Sequence, residues 1–347
     1  MNESRLQALL GRFEALSILV VGDFFLDKYL LLDRELSETS LETGLEAYQV
    51  VKVACSPGAA GSVTSKLAAL GPNVVTLGLT GADGEGYELR RCLAELGVDT
   101  APLLEAPDLL TPTYTKPLMR EPDGRTHELN RLDIKNRQPL PEAVEAAVIA
   151  ELRRRFPQMD GVVVADQVTE RNQGIITDRV REEIATLARD HPGVVVIADS
   201  RARAGLFHEV MLKPNAREAA LALVPEGDGP IPIETDLAVA RANGRALFAR
   251  TGKPVFVTVG AHGILCFSDA GEAHVPAVPV EGEIDVVGAG DSVMAGLVTA
   301  LCSGATPEEA ALVGNLVASI TIQQLGTTGT ARRDEVLARL GAWRGDE

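Results

Sequence analysis

Residues 161–198 read GVVVADQVTERNQGIITDRVREEIATLARDHPGVVVIA: two apolar runs, Gly161–Ala165 and Val194–Ala198, on either side of an amphipathic segment, Asp178–Arg189. Each run is continuous rather than alternating, which is the pattern of a strand covered on both faces. Strand, helix and strand in that order make a βαβ unit, whose crossover helix leaves the two strands parallel. The same rhythm extends outward. Ile18–Gly22, Val74–Leu79 and Val255–Val259 read as further buried strands, and Glu142–Phe156 and Asp236–Arg250 as further helices. The sequence therefore predicts an α/β fold, Rossmann-like, with a mostly parallel sheet and helices on both faces.

Two regions break the rhythm. Residues 28–53 show no helix and end in AYQVVKV, which alternates like a half-exposed strand. Residues 111–132 read as a hairpin about Pro122-Asp123-Gly124. We read both as insertions forming a small β-rich lid on a single domain spanning residues 1–347. Pro225–Ile233 reads as a surface loop.

Net charge is −16, which argues against a nucleic-acid partner needing a basic face. Any phosphate site must then be local, made of backbone amides and a few cations. Cys55, Cys92, Cys266 and Cys302 are scattered, with no paired spacing, so neither a disulfide framework nor a zinc site is indicated. The five histidines lack ligand spacing. The N-terminal residues lack a signal-peptide core. The apolar stretches at Leu19–Leu32 and Val286–Ala305 are interrupted by Asp23, Asp27 and Asp291, so no membrane span is expected. The expected location is cytoplasmic.

The chemistry is concentrated in Asp285–Ser292, DVVGAGDS, leading into a helical run. Gly288, Ala289 and Gly290 allow successive amides to turn to one side, where the helix adds its positive end; that arrangement holds an anion. Asp291 beside it is poorly placed to bind phosphate but well placed to take a proton from an attacking hydroxyl. A base next to an anion hole points to phosphoryl transfer. A glycine-rich helix entry with an aspartate near its first turn is the competing reading.

Four other landmarks accompany this one along the chain: Gly22-Asp23-Phe24-Phe25-Leu26-Asp27, Pro57-Gly58-Ala59-Ala60-Gly61-Ser62, Lys213-Pro214-Asn215-Ala216-Arg217-Glu218 and Thr258-Val259-Gly260-Ala261-His262-Gly263. In this order they resemble the signatures of the ribokinase-like (PfkB) carbohydrate kinases. GDxxLDxY, VVKV, TxTK at Thr113–Lys116, RLD at Arg131–Asp133 and LGT at Leu325–Thr327 look most like the bacterial heptose-phosphate kinases. Some of those enzymes carry a fused nucleotidyltransferase, for which this chain is expected to leave no room.

The resemblance implies a ribokinase-like fold and an ATP-dependent transfer of the terminal phosphate to a hydroxyl of a sugar or sugar phosphate, a heptose 7-phosphate included. It implies Asp291 as general base, with the amides of Gly288, Ala289, Gly290 and Asp291 as anion hole. It implies Asn215 and Glu218 organising magnesium through water, and Thr258, Gly260 and Gly263 lining the nucleotide with Asn315 on the adenine side. Asp27, Gly58, Ala59 and Ser62 would hold the sugar, Asp27 from the carboxyl edge of the first strand. A homodimer through the lid is also implied.

Residue chemistry leaves alternatives. Asn215 and Glu218 stand at capping-box spacing. Lys213 reads as a solvated loop lysine. Asp27 could instead pair with Lys28 or Arg34. The sequence departs from the signatures at Ala59, where a second glycine is usual, at Ser62, where an asparagine is usual, and at Val287, where a threonine is usual. The last weakens any expectation of a monovalent-cation site. A nucleoside or other polyol kinase of the same fold, or a non-catalytic sugar- or nucleotide-binding protein on a kinase scaffold, are the competing functions.

Overall fold

The structure, a computed structural model, describes residues 1–224, 236–326 and 328–345. The Pro225–Ile233 loop and Thr327 of the LGT motif lie outside the described residues.

Fourteen strands are described: β1 (Ser17–Gly22), β2 (Phe24–Thr39), β3 (Glu46–Ala59), β4 (Asn73–Thr80), β5 (Leu103–Glu105), β6 (Thr113–Arg120), β7 (Thr126–Glu128), β8 (Leu132–Ile134), β9 (Gly161–Asp166), β10 (Val195–Ser200), β11 (Met211–Leu212), β12 (Val255–Thr258), β13 (Ile264–Ser268) and β14 (Gly271–Val275). Nine form the central sheet in the order β14-β13-β12-β11-β10-β9-β1-β4-β5. The pairs from β12 through β11, β10, β9, β1 and β4 to β5 are parallel, and β13 and β14 close one edge antiparallel.

Two cores cover the sheet. On one face lie α1 (Glu3–Leu10), α2 (Ala60–Leu70), α3 (Gly84–Glu95), α8 (Ala289–Cys302), α9 (Pro307–Thr321) and α10 (Arg333–Gly345). On the other lie α4 (Glu142–Arg155), α5 (Asp178–Asp190), α6 (Ala216–Leu221) and α7 (Leu237–Thr251). Strand β1 sends Ile18 and Val20 into the first core and Leu19 and Val21 into the second. That two-sided burial is why its sequence shows no polar alternation.

The second sheet is larger than the insertions suggest. Its strand order is β3-β2-β6-β7, with β8 also on β6. Strand β2 starts at Phe24, straight after the bend at Asp23, and pairs antiparallel with β3 back to Ala59. The turn between β6 and β7 is closed by Gly124, whose N–H donates to the Glu121 carbonyl at φ +84°. Around Tyr48–Val53 the outer part of β3 does not alternate as its sequence implies: Val50, Val51 and Val53 are all exposed.

Strand order reverses about β1, which lies between β4 and β9. Beyond the carboxyl ends of such a pair, the connections leave in opposite directions and open a crevice. Asp23 fills the bend there. Its carboxylate accepts from the amides of Gln167, Val168 and Ile175, at 2.8–2.9 Å. It thereby ties the root of the second sheet to the β9 end of the first.

Candidate active site

Helix α8 is preceded by Gly288 as its N-cap, which adopts φ +77° with no side chain capping the helix. The Ala289 amide is taken by the Val286 carbonyl, and Ser292 N–H makes the first bond back to Gly288. The amides of Gly290 and Asp291 lie in the first turn, where a helix has no partner for its N–H groups. Asp291 stands in that turn. Burial pushes its carboxyl above the usual range, while the Lys66 ammonium and the Ser62 hydroxyl hold it down.

The first glycine signature forms the end of β3 and the start of α2. Gly58 lies against Asp27: a Cβ there would come 2.7 Å from Asp27 Oδ2. Ala59 is forced to φ +53°, ψ −119°, a conformation that L side chains avoid. Ser62 and Lys66 follow one turn apart on α2 and are buried, with Lys66 Nζ 2.9 Å from Ser62 Oγ.

Asp27 does not emerge from the edge of β1. It lies inside β2, one strand later, because the chain enters the second sheet immediately after Asp23. It pairs with neither Lys28 nor Arg34, which meet Glu85 and Glu121. Its partner is Lys116 of β6, at 3.0 Å. Burial lowers the Lys116 pKa, but Asp27 and Tyr29 outweigh it and the net shift is upward. On the same face, Tyr114 meets Phe25 edge-on and lies under the Arg131 guanidinium, 4.1 Å away. A cavity lined by Phe25, Tyr114, Gln167, Thr169 and Arg201 opens between this face and the carboxyl end of β9.

Lys213 is not a solvated loop lysine. It is 2 % exposed and paired with Asp199 at 2.9 Å. It sits between β11 and α6 because its backbone amide continues the sheet onto Ala198. Asn215 and Glu218 make the full capping box at the start of α6, each side chain accepting the other's amide at 2.8 Å. Glu218 is raised by burial and by the charge of Asp199, with Lys213 opposing. Two carboxylates that repel each other in a buried corner are a donor set that a divalent cation would neutralise.

Thr258 bridges to Asn215 and donates its amide to Pro214. Gly260 and Gly263 follow at φ +58° and +90°, and a Cβ on Gly263 would lie 2.2 Å from the Val275 carbonyl. Asn315 of α9 donates to that same carbonyl and to Pro276. The structure thus groups Asp291, Ser62 and Gly288 with Lys66, and groups Asn215 and Glu218 with Lys213 and Asp199. The amide nitrogen of Asn315 is spent on the end of β14, beside Gly263. Lys66 and Asp199 escape a reading of the sequence. A lysine in a helix reads as solvent-facing, and only its position four residues after Ser62 marks the shared face.

Comparison with known proteins accords with this fold. The family profile described as pfkB family carbohydrate kinase matches residues 29–333. The chain is 28% identical over 340 residues to the bifunctional protein HldE of Trichlorobacter lovleyi, covering 97% of this chain and 65% of that protein. It is 31% identical over 345 residues to that of Hyphomonas neptunium, covering 97% and 66%. The chain thus spans just under two thirds of the length of these relatives. Among solved structures, it is similar to Arabidopsis thaliana ribokinase complexed with ribose and ATP, at TM-score 0.68 and 19% identity, covering 94% of this chain and 98% of that one. It is likewise similar to phosphofructokinase-2 from Escherichia coli in complex with potassium, at TM-score 0.69 and 18% identity, covering 95% and 99%.

Proposed function

Since this chain belongs to the pfkB family of carbohydrate kinases, phosphotransferases acting on sugar hydroxyls, we propose that it phosphorylates a sugar phosphate, a heptose 7-phosphate by resemblance. The carrying observation is Asp291, set in the open first turn of α8 and preceded by the two glycines that face Lys66 and Lys213. Asp291 takes the proton of the acceptor hydroxyl, and the amides of Gly288, Gly290 and Asp291 receive the charge that builds on the phosphoryl oxygens, the Ala289 amide expected for this role being spent on the Val286 carbonyl.

Asp27, Gly58, Ala59 and Ser62 hold the sugar beneath the second sheet, which acts as the lid. Arg201, which lines the cavity and donates to Gln167, supplies local positive charge for a phosphate on the acceptor, whereas Lys116 and Arg131 are paired with Asp27 and Asp133. Thr258, Gly260, Gly263 and Asn315 form the ATP side. Asn215 and Glu218, with Asp199, would hold magnesium through water, and it would screen the phosphate charge. The exposed Tyr48, Val50, Val51 and Val53 of β3 support a homodimer through the lid. The described cysteines are free, and no described helix is long and apolar enough to cross a membrane.

Sugar-dependent ADP release across a panel of sugars, sugar phosphates and nucleosides tests the reading. Turnover should be highest on a heptose 7-phosphate and fall about 10²–10⁴-fold in Asp291→Asn. Preference for a nucleoside, or an Asp291→Asn variant near wild-type rate, would overturn it.

A further inference from the structure

We propose that Lys66 is a further catalytic residue of this chain: its ammonium meets the phosphoryl group in transit at the N-terminus of α8, beside Asp291. The inference rests on the kinase reading above and adds a group that none of the sequence signatures contains.

Lys66 is 1 % exposed. Its hydrogen-bond partner is the Ser62 hydroxyl, and no carboxylate of a described residue pairs with it. The ammonium points at the helix entry: a Cβ on Gly288 would lie 3.2 Å from Nζ. A buried cation held against the positive end of a helix is unfavourable twice over, through lost hydration and through the helix dipole. Lys213 approaches the same turn near Gly290, but Asp199 neutralises it. Lys66 has no such ion pair among the described residues, and its nearby opposite charge is Asp291 itself. Burial weakens its hold on its proton, and the nearby Asp291 charge strengthens it. An anion seated between Nζ and the amides of α8 would relieve both costs. The short Ser62 side chain leaves the ammonium its space, where the usual asparagine would project further.

In the step itself, the bond from the γ-phosphorus to the ADP oxygen breaks and the bond to the acceptor oxygen forms. The acceptor proton goes to Asp291. Lys66 keeps its own protons throughout and contributes charge and hydrogen bonds.

Lys66→Met keeps the length and apolar stem and removes the ammonium. The kcat for sugar-phosphate-dependent ADP release should fall about 10²–10³-fold, with the ATP KM nearly unchanged. A second readout needs no turnover: calorimetric binding of ADP with magnesium and aluminium fluoride, which mimics the phosphoryl group in flight. Lys66→Met should weaken it at least about tenfold, the order expected for one lost charged hydrogen bond. Thermal melting reports whether the variant folds. If it does not, Ser62→Ala, which frees the ammonium from its anchor, should move both readouts in the same direction by less.

A kcat within about twofold of wild type, or unchanged fluoroaluminate affinity, would overturn the role of Lys66. Fluoroaluminate binding that depends on Lys66, in a protein that phosphorylates no sugar phosphate, would instead overturn the acceptor assignment and leave Lys66 standing.

Discussion

At the scale of single residues, Asp27 and Ala59 carry the sharpest expectations. Asp27 already accepts from Lys116, so in the proposed site a sugar hydroxyl would meet a carboxylate oriented in advance. Charge-assisted bonds of this kind contribute about 1.5–3 kcal/mol. Asp27→Ala should raise the sugar KM about tenfold to hundredfold, leaving the ATP KM nearly constant. Equal sugar KM values in variant and wild type would remove Asp27 from the site. Ala59 holds a backbone conformation that costs about 1–3 kcal/mol for a residue with a Cβ. Ala59→Gly relieves it and loses about 0.4–1 kcal/mol to unfolded-chain entropy. Denaturant unfolding should show a net gain of about 1 kcal/mol, and a loss would contradict the strain. The departure at Ala59 was visible in the sequence, but its backbone angle was not. Lys213 was misread because Pro214 and Asn215 beside it suggest an open loop, whereas the register of β11 draws it inside.

At the scale of elements, α6 separates two roles that share the same atoms. Glutamine serves a capping box as well as glutamate does. Glu218→Gln should therefore keep the fold stability while raising the magnesium concentration needed for half-maximal rate. A magnesium titration superimposable on wild type would leave Glu218 a cap alone. The extent of the second sheet shows where periodicity stops informing. Phe24, Phe25 and Leu26 are buried and resume the apolar run of β1, so the sequence marks the change of sheet only by the single polar residue Asp23. The break is the bend at Asp23, made by three amides arriving from residues far along the chain. The strands of the central sheet were readable because burial on both faces writes itself into every position. The edge strands β5 and β14 and the two-residue interior strand β11 were not, being too short or too exposed to leave a pattern.

At the scale of the whole molecule, Asp23 joins the two sheets and should make their union pH-dependent. Burial, then the nearby Asp166 charge, push its carboxyl up to about 6, against the pull of three amides. Its folded value thus exceeds its unfolded value, so the folded state holds the extra proton. This contribution to stability is fully present below about pH 4 and is lost as pH rises to about 6. The difference in unfolding free energy between wild type and Asp23→Asn should change by on the order of 1–3 kcal/mol between pH 4.5 and 6.5. A difference independent of pH would contradict the shift.

The place of β1 between β4 and β9 has a further consequence, for synthesis on the ribosome. β1 is complete at residue 22 and gains one neighbour by residue 80, but the other only once residue 166 has been made. At about 5–20 residues per second, the nascent chain waits on the order of ten seconds with one edge of its central strand unpaired. During that interval Asp23 also lacks the amides it later accepts. The antiparallel β2–β3 pair needs only residues 24–59. The small sheet can therefore begin to form before the large one that it covers.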